Sequence, residues 1–457
     1  MTLHGDDAHK YKNVIDFASN SNPKGVSEKA LEVVKNNLDK ISGYPDSDST
    51  ELREALAGYV GVSPENVIAG NGSAELIRLF CEVFLDKGDV VLIPVPTFSE
   101  YEENARLFGG EIINIKLNSG NNFRFNIAEI PGKINGKVKI IFLCSPNNPT
   151  GQSIPGKDVL KLAIENPETF IFLDEAFIEF SGRESLALKV EKHKNLFVLR
   201  SMTKFFALAG LRVGYGIGNK NLIKKLSDAK LEWNVNVLAQ AAAIGSLRDK
   251  EYIRTSGILM EKEKKNLFNE LSGIPELTVY FSDANFFLIN IKRTGFSSPE
   301  MKNELLKKGI LIRDCSNFRG LNKNYIRVCV RMREENEKLV SALGGIILIR
   351  KNIRNAINKK ELAGSDRNCK YYPCHDLNEL DCTFCFCPFY PCCDTRTGGE
   401  MVTTKNGGKV WGCKNCTWIH KPEVARKILN EILKLNVNKI EEINREKLLE
   451  IRLKCLK

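Results

Sequence analysis

Lys204 stands in Ser201-Met202-Thr203-Lys204, directly after the apolar run Leu196-Phe197-Val198-Leu199, with Arg212 eight residues further on. An amine at the end of a buried strand, beside small hydroxyls and a second cation, can be held deprotonated and attack a carbonyl carbon. Asp174 ends another apolar run, in Leu173-Asp174-Glu175-Ala176-Phe177. A carboxylate there costs free energy unless it meets a partner, and a cationic ring nitrogen would be one. Gly72-Ser73-Ala74-Glu75 opens a helical pattern whose first amides, with the Ser73 hydroxyl, suit a phosphate. Taken alone, that turn marks no more than a helix start. In Ser145-Pro146-Asn147-Asn148-Pro149-Thr150-Gly151 two prolines fix a turn that can aim the Asn148 amide at a ring oxygen.

A lysine for an imine, a carboxylate for a pyridine nitrogen, a phosphate cradle and orienting groups are together what pyridoxal phosphate requires. The elements that must position them alternate. Val90-Val91-Leu92-Ile93, Ile140-Ile141-Phe142-Leu143 and Phe170-Ile171-Phe172-Leu173 are short and wholly apolar, as strands buried on both faces are. Helical patterns such as Glu51–Tyr59 and Ala74–Phe84 lie between them. The alternation predicts an α/β layered domain with a mostly parallel sheet, ligands gathering at its strand ends. The chain is divided into an N-terminal arm with part of the small domain (1–40), a large domain (41–275), a small α+β domain (276–346), a linker (347–368), a Cys-rich module (369–420) and a helical tail (421–457).

No run of roughly 18 apolar residues is present, so no membrane span is expected, and the N-terminus lacks an apolar signal region, which predicts a cytoplasmic protein. The segment from Arg350 onward holds 21 Lys and Arg against 13 Asp and Glu, and so carries +8 of the net +11. A solvated helical surface accounts for that charge; an anionic partner such as nucleic acid is the sharper alternative.

Three motifs in order, Ser-Pro-Asn-Asn-Pro-Thr-Gly at 145, Asp-Glu-Ala-Phe at 174 and Ser-x-Thr-Lys with Gly-Leu-Arg-x-Gly-Tyr from 201 to 215, carry a resemblance. Residues 10–345 resemble the fold type I pyridoxal-phosphate enzymes, in the histidinol-phosphate aminotransferase branch. The resemblance implies that Lys204 is the imine lysine, Asp174 faces the pyridine nitrogen and Asn148 the ring oxygen. Gly72, Ser73, Ala74, Ser201, Thr203 and Arg212 would hold the cofactor phosphate, and Phe98 would stack on the ring. Tyr44 would reach the neighbouring subunit's cofactor, implying a homodimer. Phe177 departs from the branch, where Tyr is common, and one hydrogen bond to the ring oxygen is lost with it.

Further segments resemble one member family more closely, the L-threonine-O-3-phosphate decarboxylases of cobalamin synthesis. They are His4-Gly5, Asp16 to Pro23, Trp233-Asn234-Val235-Asn236, Ala284-Asn285-Phe286, Ile310 to Phe318 and Arg327 to Arg331. That likeness implies that Arg313 and Arg327 grip the phosphate and carboxylate ends of a phosphorylated amino acid, with His4, Asn20 and Asn148 contributing. A substrate bearing about three negative charges needs at least two guanidinium groups, which agrees.

Nine of the fourteen cysteines crowd one stretch: Cys369, Cys374, Cys382, Cys385, Cys387, Cys392, Cys393, Cys413 and Cys416, with His375 and His420 nearby. In a reducing compartment such a cluster predicts metal rather than disulfides. All-thiolate ligation among aromatics and prolines favours [4Fe–4S] over zinc, and nine thiols exceed one four-ligand site. The Cys-Cys…His-His finger spacing is absent, as is a Gly-x4-Gly-Lys-Ser/Thr loop. The module could stabilise the dimer, sense redox state, dock a protein of the cobalamin pathway, or help to make or deliver phosphothreonine. Two other functions compete with the decarboxylase: an aminotransferase for histidinol phosphate or a related amine, and a ligand-sensing regulator whose Cys-rich tail binds nucleic acid.

Overall fold

The computed structural model describes residues 7–127, 130, 138–367, 372–385, 387–389, 392–403, 409–413, 415–437 and 440–456. Two compact units are present, Met1–Val340 and Ser341–Lys457.

The first unit is built on a seven-stranded sheet. Its strands are β2 (Val67–Gly70), β3 (Val90–Val95), β4 (Glu111–Lys116), β5 (Val138–Cys144), β6 (Phe170–Asp174), β7 (Leu196–Ser201) and β8 (Gly214–Gly218), in the order β2-β8-β7-β6-β5-β3-β4. Strand β8 runs antiparallel to both its neighbours, and the remaining pairs are parallel. Every residue of β3 and β7 is buried, which is why these runs show no polar alternation. Helix Ser73–Phe84 covers one face. Its Phe80 meets Phe172 and Phe197 at ring-centroid distances of 5.0 Å. Because the central strands are parallel, Val95, Cys144, Asp174 and Ser201 end them on one side, where ligands of such sheets sit.

Ile15–Asp16 (β1) pairs in parallel with Ile310–Leu311 (β11). The small domain holds an antiparallel sheet, in the order β12 (Arg313–Asp314), β13 (Tyr325–Cys329), β10 (Phe286–Asn290) and β9 (Thr278–Val279). Helix Ser298–Leu306 starts on a capping box between Ser297 and Glu300.

Helix Arg333–Lys359 runs into the stretch predicted as a linker from 347. The open-chain expectation is therefore corrected for residues 347–359: their apolar residues recur at helical spacing, and Ile353, Ala356 and Ile357 are buried. In the second unit β14 (Glu400–Thr403) and β15 (Lys409–Gly412) form a hairpin. Helices Pro422–Leu433 and Arg445–Cys455 bury Ile428, Leu429, Ile432 and Ile451 in one core with Phe384, Phe389 and Trp411. The predicted tail thus belongs to the core of the Cys-rich unit. No helix among the described residues is long and apolar enough to cross a membrane.

Candidate active site

A cavity of about 1210 Å³ opens at the strand ends of the large sheet. Lys204, Asp174 and Asn148 line it, as do the predicted phosphate ligands Ser73, Ala74, Ser201, Thr203 and Arg212. Phe98 and Phe177 are also in its wall, and so are Asn20, Arg313 and Arg327, the residues predicted to meet the substrate.

Lys204 Nζ donates to the Ser19 carbonyl at 2.8 Å. Burial pulls its amine down to about 8, and the nearby Arg327 and Arg212 guanidiniums push in the same direction. Asp174 is driven the other way, up to about 6, by burial. Two donors resist that shift: Tyr101 Oη to Oδ2 at 2.5 Å and the Ala176 amide to Oδ1 at 2.8 Å.

The predicted phosphate cradle lies where Gly72 (φ +79°) turns the chain into helix Ser73–Phe84. A Cβ at Gly72 would stand 2.6 Å from Arg212 Nη2, so the missing side chain is what lets the guanidinium reach the helix N-terminus. Ser201 Oγ and Thr203 Oγ1 lie 2.6 Å apart at the end of β7. Helix amides, two hydroxyls and a guanidinium form a donor set for a dianionic phosphate. With the buried carboxylate and a lysine of lowered basicity in the same cavity, these residues fit pyridoxal phosphate.

On the opposite wall, Arg327 Nη1 donates to Asn148 Oδ1 and Arg327 Nη2 to the Ala18 carbonyl. Arg313 Nη2 donates to Asn317 Oδ1 at 3.0 Å. Among the described residues neither guanidinium forms an ion pair with a carboxylate. Asn20 Oδ1 and Arg327 Nε are buried without hydrogen-bond partners among the described residues. Phe177 packs edge-on to Phe286 at 5.0 Å, and Arg327 lies over the same Phe286 ring at 5.1 Å.

Tyr44 does not reach this cavity: it is 84% exposed and stacks near Trp233 at 4.8 Å. His4 and Cys369 lie outside the described residues. Two features escaped the sequence reading. Tyr101, three residues after Phe98 in the first turn of helix Glu100–Leu107, carries no signal beyond being one more aromatic there. Glu102 takes a bidentate pair from Arg319 at 2.7 and 2.8 Å and also binds Arg106 at 2.9 Å, at the cavity rim; nothing in sequence pairs positions so far apart.

In the second unit, Cys382, Cys392 and Cys416 are buried, Cys387 and Cys413 half-buried, and Cys374, Cys385 and Cys393 exposed. Cys416 N bonds to the Cys413 carbonyl at 3.0 Å and Cys385 N to the Cys382 carbonyl at 3.3 Å, the tight turns that Cys-x2-Cys pairs make. The His375 and His420 rings stand 4.6 Å apart. Among the described residues, no three His, Cys, Asp or Glu side chains are gathered closely enough to hold an ion. The thiolate chemistry suits a thiophilic metal, but the arrangement does not single out a ligand set.

Residues 12–343 match the profile of the family described as aminotransferase class I and II, and residues 360–444 that of a cysteine-rich small domain. The chain is 35% identical to a histidinol-phosphate aminotransferase of Methanothermobacter thermautotrophicus, over 74% of this chain and 90% of that one. It is 44% identical to a "Putative threonine-phosphate decarboxylase" of Caldanaerobacter subterraneus, over 72% and 89%. Among solved structures, the histidinol-phosphate aminotransferase of Clostridium acetobutylicum superimposes with a TM-score of 0.69 at 32% identity, over 73% of this chain and 99% of that one. With its fold type I architecture and its lysine–aspartate–phosphate-cradle cavity, the chain belongs to the class I and II aminotransferase family of pyridoxal-phosphate enzymes, and carries a cysteine-rich C-terminal domain besides.

Proposed function

We propose that the protein decarboxylates L-threonine O-3-phosphate to (R)-1-aminopropan-2-yl phosphate and carbon dioxide, the chemistry that provides the aminopropanol linker of cobalamin. The observation that carries this reading is the pair Arg313 and Arg327, two cations on one wall of the cavity whose hydrogen-bond acceptors are neutral oxygens. A phosphorylated amino acid has an anion at each end to meet them. The 44% identity to a relative named for this activity, against 34–37% for relatives named histidinol-phosphate aminotransferases, supports the same choice.

Bound pyridoxal phosphate supplies the electron sink that accepts the pair left when a bond to the substrate Cα breaks. Ser73, Ser201, Thr203, Arg212 and the amides at Gly72–Ala74 would hold its phosphate, Phe98 its ring face, Asn148 its ring oxygen and Asp174 its protonated nitrogen. Arg327 would clamp the substrate carboxylate, and Arg313, with Asn20 and His4, the phosphate end. Held at both ends, the substrate would keep one orientation, and on this reading the bond presented for cleavage is Cα–carboxylate. Carbon dioxide leaves, and Lys204 or water gives a proton to Cα. A transaminase lysine must instead shuttle that proton between two carbons.

We infer a homodimer in which the exposed Tyr44 reaches the partner subunit's cofactor phosphate. The Cys-rich unit is read as a thiolate metal module, iron–sulfur or zinc. Phosphorus NMR tests the activity: L-threonine O-3-phosphate converts to aminopropanol phosphate with no oxo acid added. Absence of that product, with turnover of histidinol phosphate and 2-oxoglutarate, overturns the reading in favour of an aminotransferase.

A further inference from the structure

Tyr101 is wholly buried, and its hydroxyl donates to Asp174 Oδ2 at 2.5 Å while also meeting the Cys144 thiol. Its ring lies flat against Phe142 of β5, 5.1 Å away and 10° from parallel. The edge contact is with Phe98, at 5.8 Å and 84°. Helix Glu100–Leu107, on which Tyr101 sits, begins just after Phe98. One residue thus touches both the predicted ring-stacking side chain and the predicted partner of the ring nitrogen. Asp174 sits where β6 ends, and its other oxygen is taken by the Ala176 amide, so one side-chain donor and one backbone donor fix both oxygens.

The other groups facing this carboxylate do not stabilise its charge. Cys144, at the end of β5, is a buried thiol that points to the Pro146 carbonyl. Glu175 adds negative charge next in the chain, and that charge is itself met by Arg200 of β7 at 3.0 Å. Lys204 lines the same cavity but donates to Ser19. Among the side chains that bear on Asp174, the Tyr101 hydroxyl is therefore the one that favours its ionised form.

We propose that Tyr101 is a positioning residue for cofactor binding: its hydroxyl fixes the Asp174 carboxylate, in place and ionised, for the cofactor's ring nitrogen, while its ring braces Phe98. The proposal rests on the reading of Asp174 as that partner, not on which bond of the substrate is broken.

The test is the affinity of the full chain for pyridoxal phosphate as a function of pH, wild type against Y101F. Losing one hydrogen bond to a charged acceptor lets Asp174 protonate at higher pH, so the acidic limb of the affinity profile moves up by ~1 pH unit. A tyrosine that only packs would weaken binding equally at every pH, and a uniform change with an unmoved limb overturns the proposal. Should Y101F not fold, site-specific 3-fluorotyrosine at position 101 keeps the shape and strengthens the donor. The limb then moves down; a limb that stays put overturns the proposal. Because the readout is cofactor binding, either failure leaves the decarboxylase reading standing, and absence of decarboxylation leaves this one standing.

Discussion

Arg313 lies directly opposite Arg327 across the antiparallel β12–β13 pair. Side chains at opposed positions of such a ladder share one face. Like charges opposed in this way repel, and burial adds to the cost: it pulls the Arg327 guanidinium down to about 10, with Arg313 pushing in the same direction. A fold keeps such a pair where an anion offsets it. Replacing Arg313 by Gln is expected to lower kcat/KM for L-threonine O-3-phosphate by ~100-fold or more, the loss of a charge-assisted bidentate contact. The apo protein should gain stability slightly, because one of two repelling charges is gone. Steady-state kinetics with thermal melts check both; unchanged kinetics would remove Arg313 from the substrate site.

Substituting Lys for Arg327 keeps the charge but loses the planar fork. The expected result is activity nearly as low as in R327Q, since Arg327 spans Asn148 Oδ1 and the Ala18 carbonyl and, on the proposed reading, must also grip the substrate carboxylate. Full activity in R327K would reduce its role to a point charge.

Gly72→Ala places a methyl 2.6 Å from Arg212 Nη2 at a residue with φ +79°. Backbone strain of ~1 kcal/mol adds to the displacement of the guanidinium. Cofactor affinity is expected to fall ~10-fold, readable by fluorescence titration, while the melting curve of the apo chain shifts little more than the strain alone requires. Unaltered affinity would take Arg212 out of the phosphate cradle.

Lys204 has its amine lowered to about 8, chiefly by burial. Its charged form is thus disfavoured by folding, and the neutral amine gains population as pH rises through that value. Capture of pyridoxal phosphate by the apo chain, followed by absorbance, is expected to speed up from pH ~7 to ~9 and level off above. A rate still rising beyond pH ~10 would mean an ordinary exposed lysine does the capture.

Much of the large domain was legible because its strands are short, wholly apolar and end on chemically conspicuous residues: Asp174 after β6, Ser201 to Lys204 after β7. The same burial that made the strands visible hid what braces them. Tyr101 reads as one more aromatic on an amphipathic helix, and its bond to Asp174 spans 73 residues of sequence. The Glu102–Arg319 contact spans 217. The stretch from 347 reads as a linker because its basic residues resemble a solvated surface, whereas the apolar stripe of helix Arg333–Lys359 continues to Ile357. The Cys-rich unit was legible as a unit, but spacing alone cannot say which thiols meet, and its hydrophobic core draws on helices that looked like a separate tail.

The most direct test of the central claim is a comparison of kcat/KM for L-threonine O-3-phosphate without an oxo acid and for histidinol phosphate with 2-oxoglutarate, on one preparation of the full chain. The account predicts carbon dioxide and aminopropanol phosphate in equal amounts from the first, at a kcat/KM at least ~100-fold above the second. A preference of that size for histidinol phosphate, with no carbon dioxide released from threonine phosphate, would contradict it.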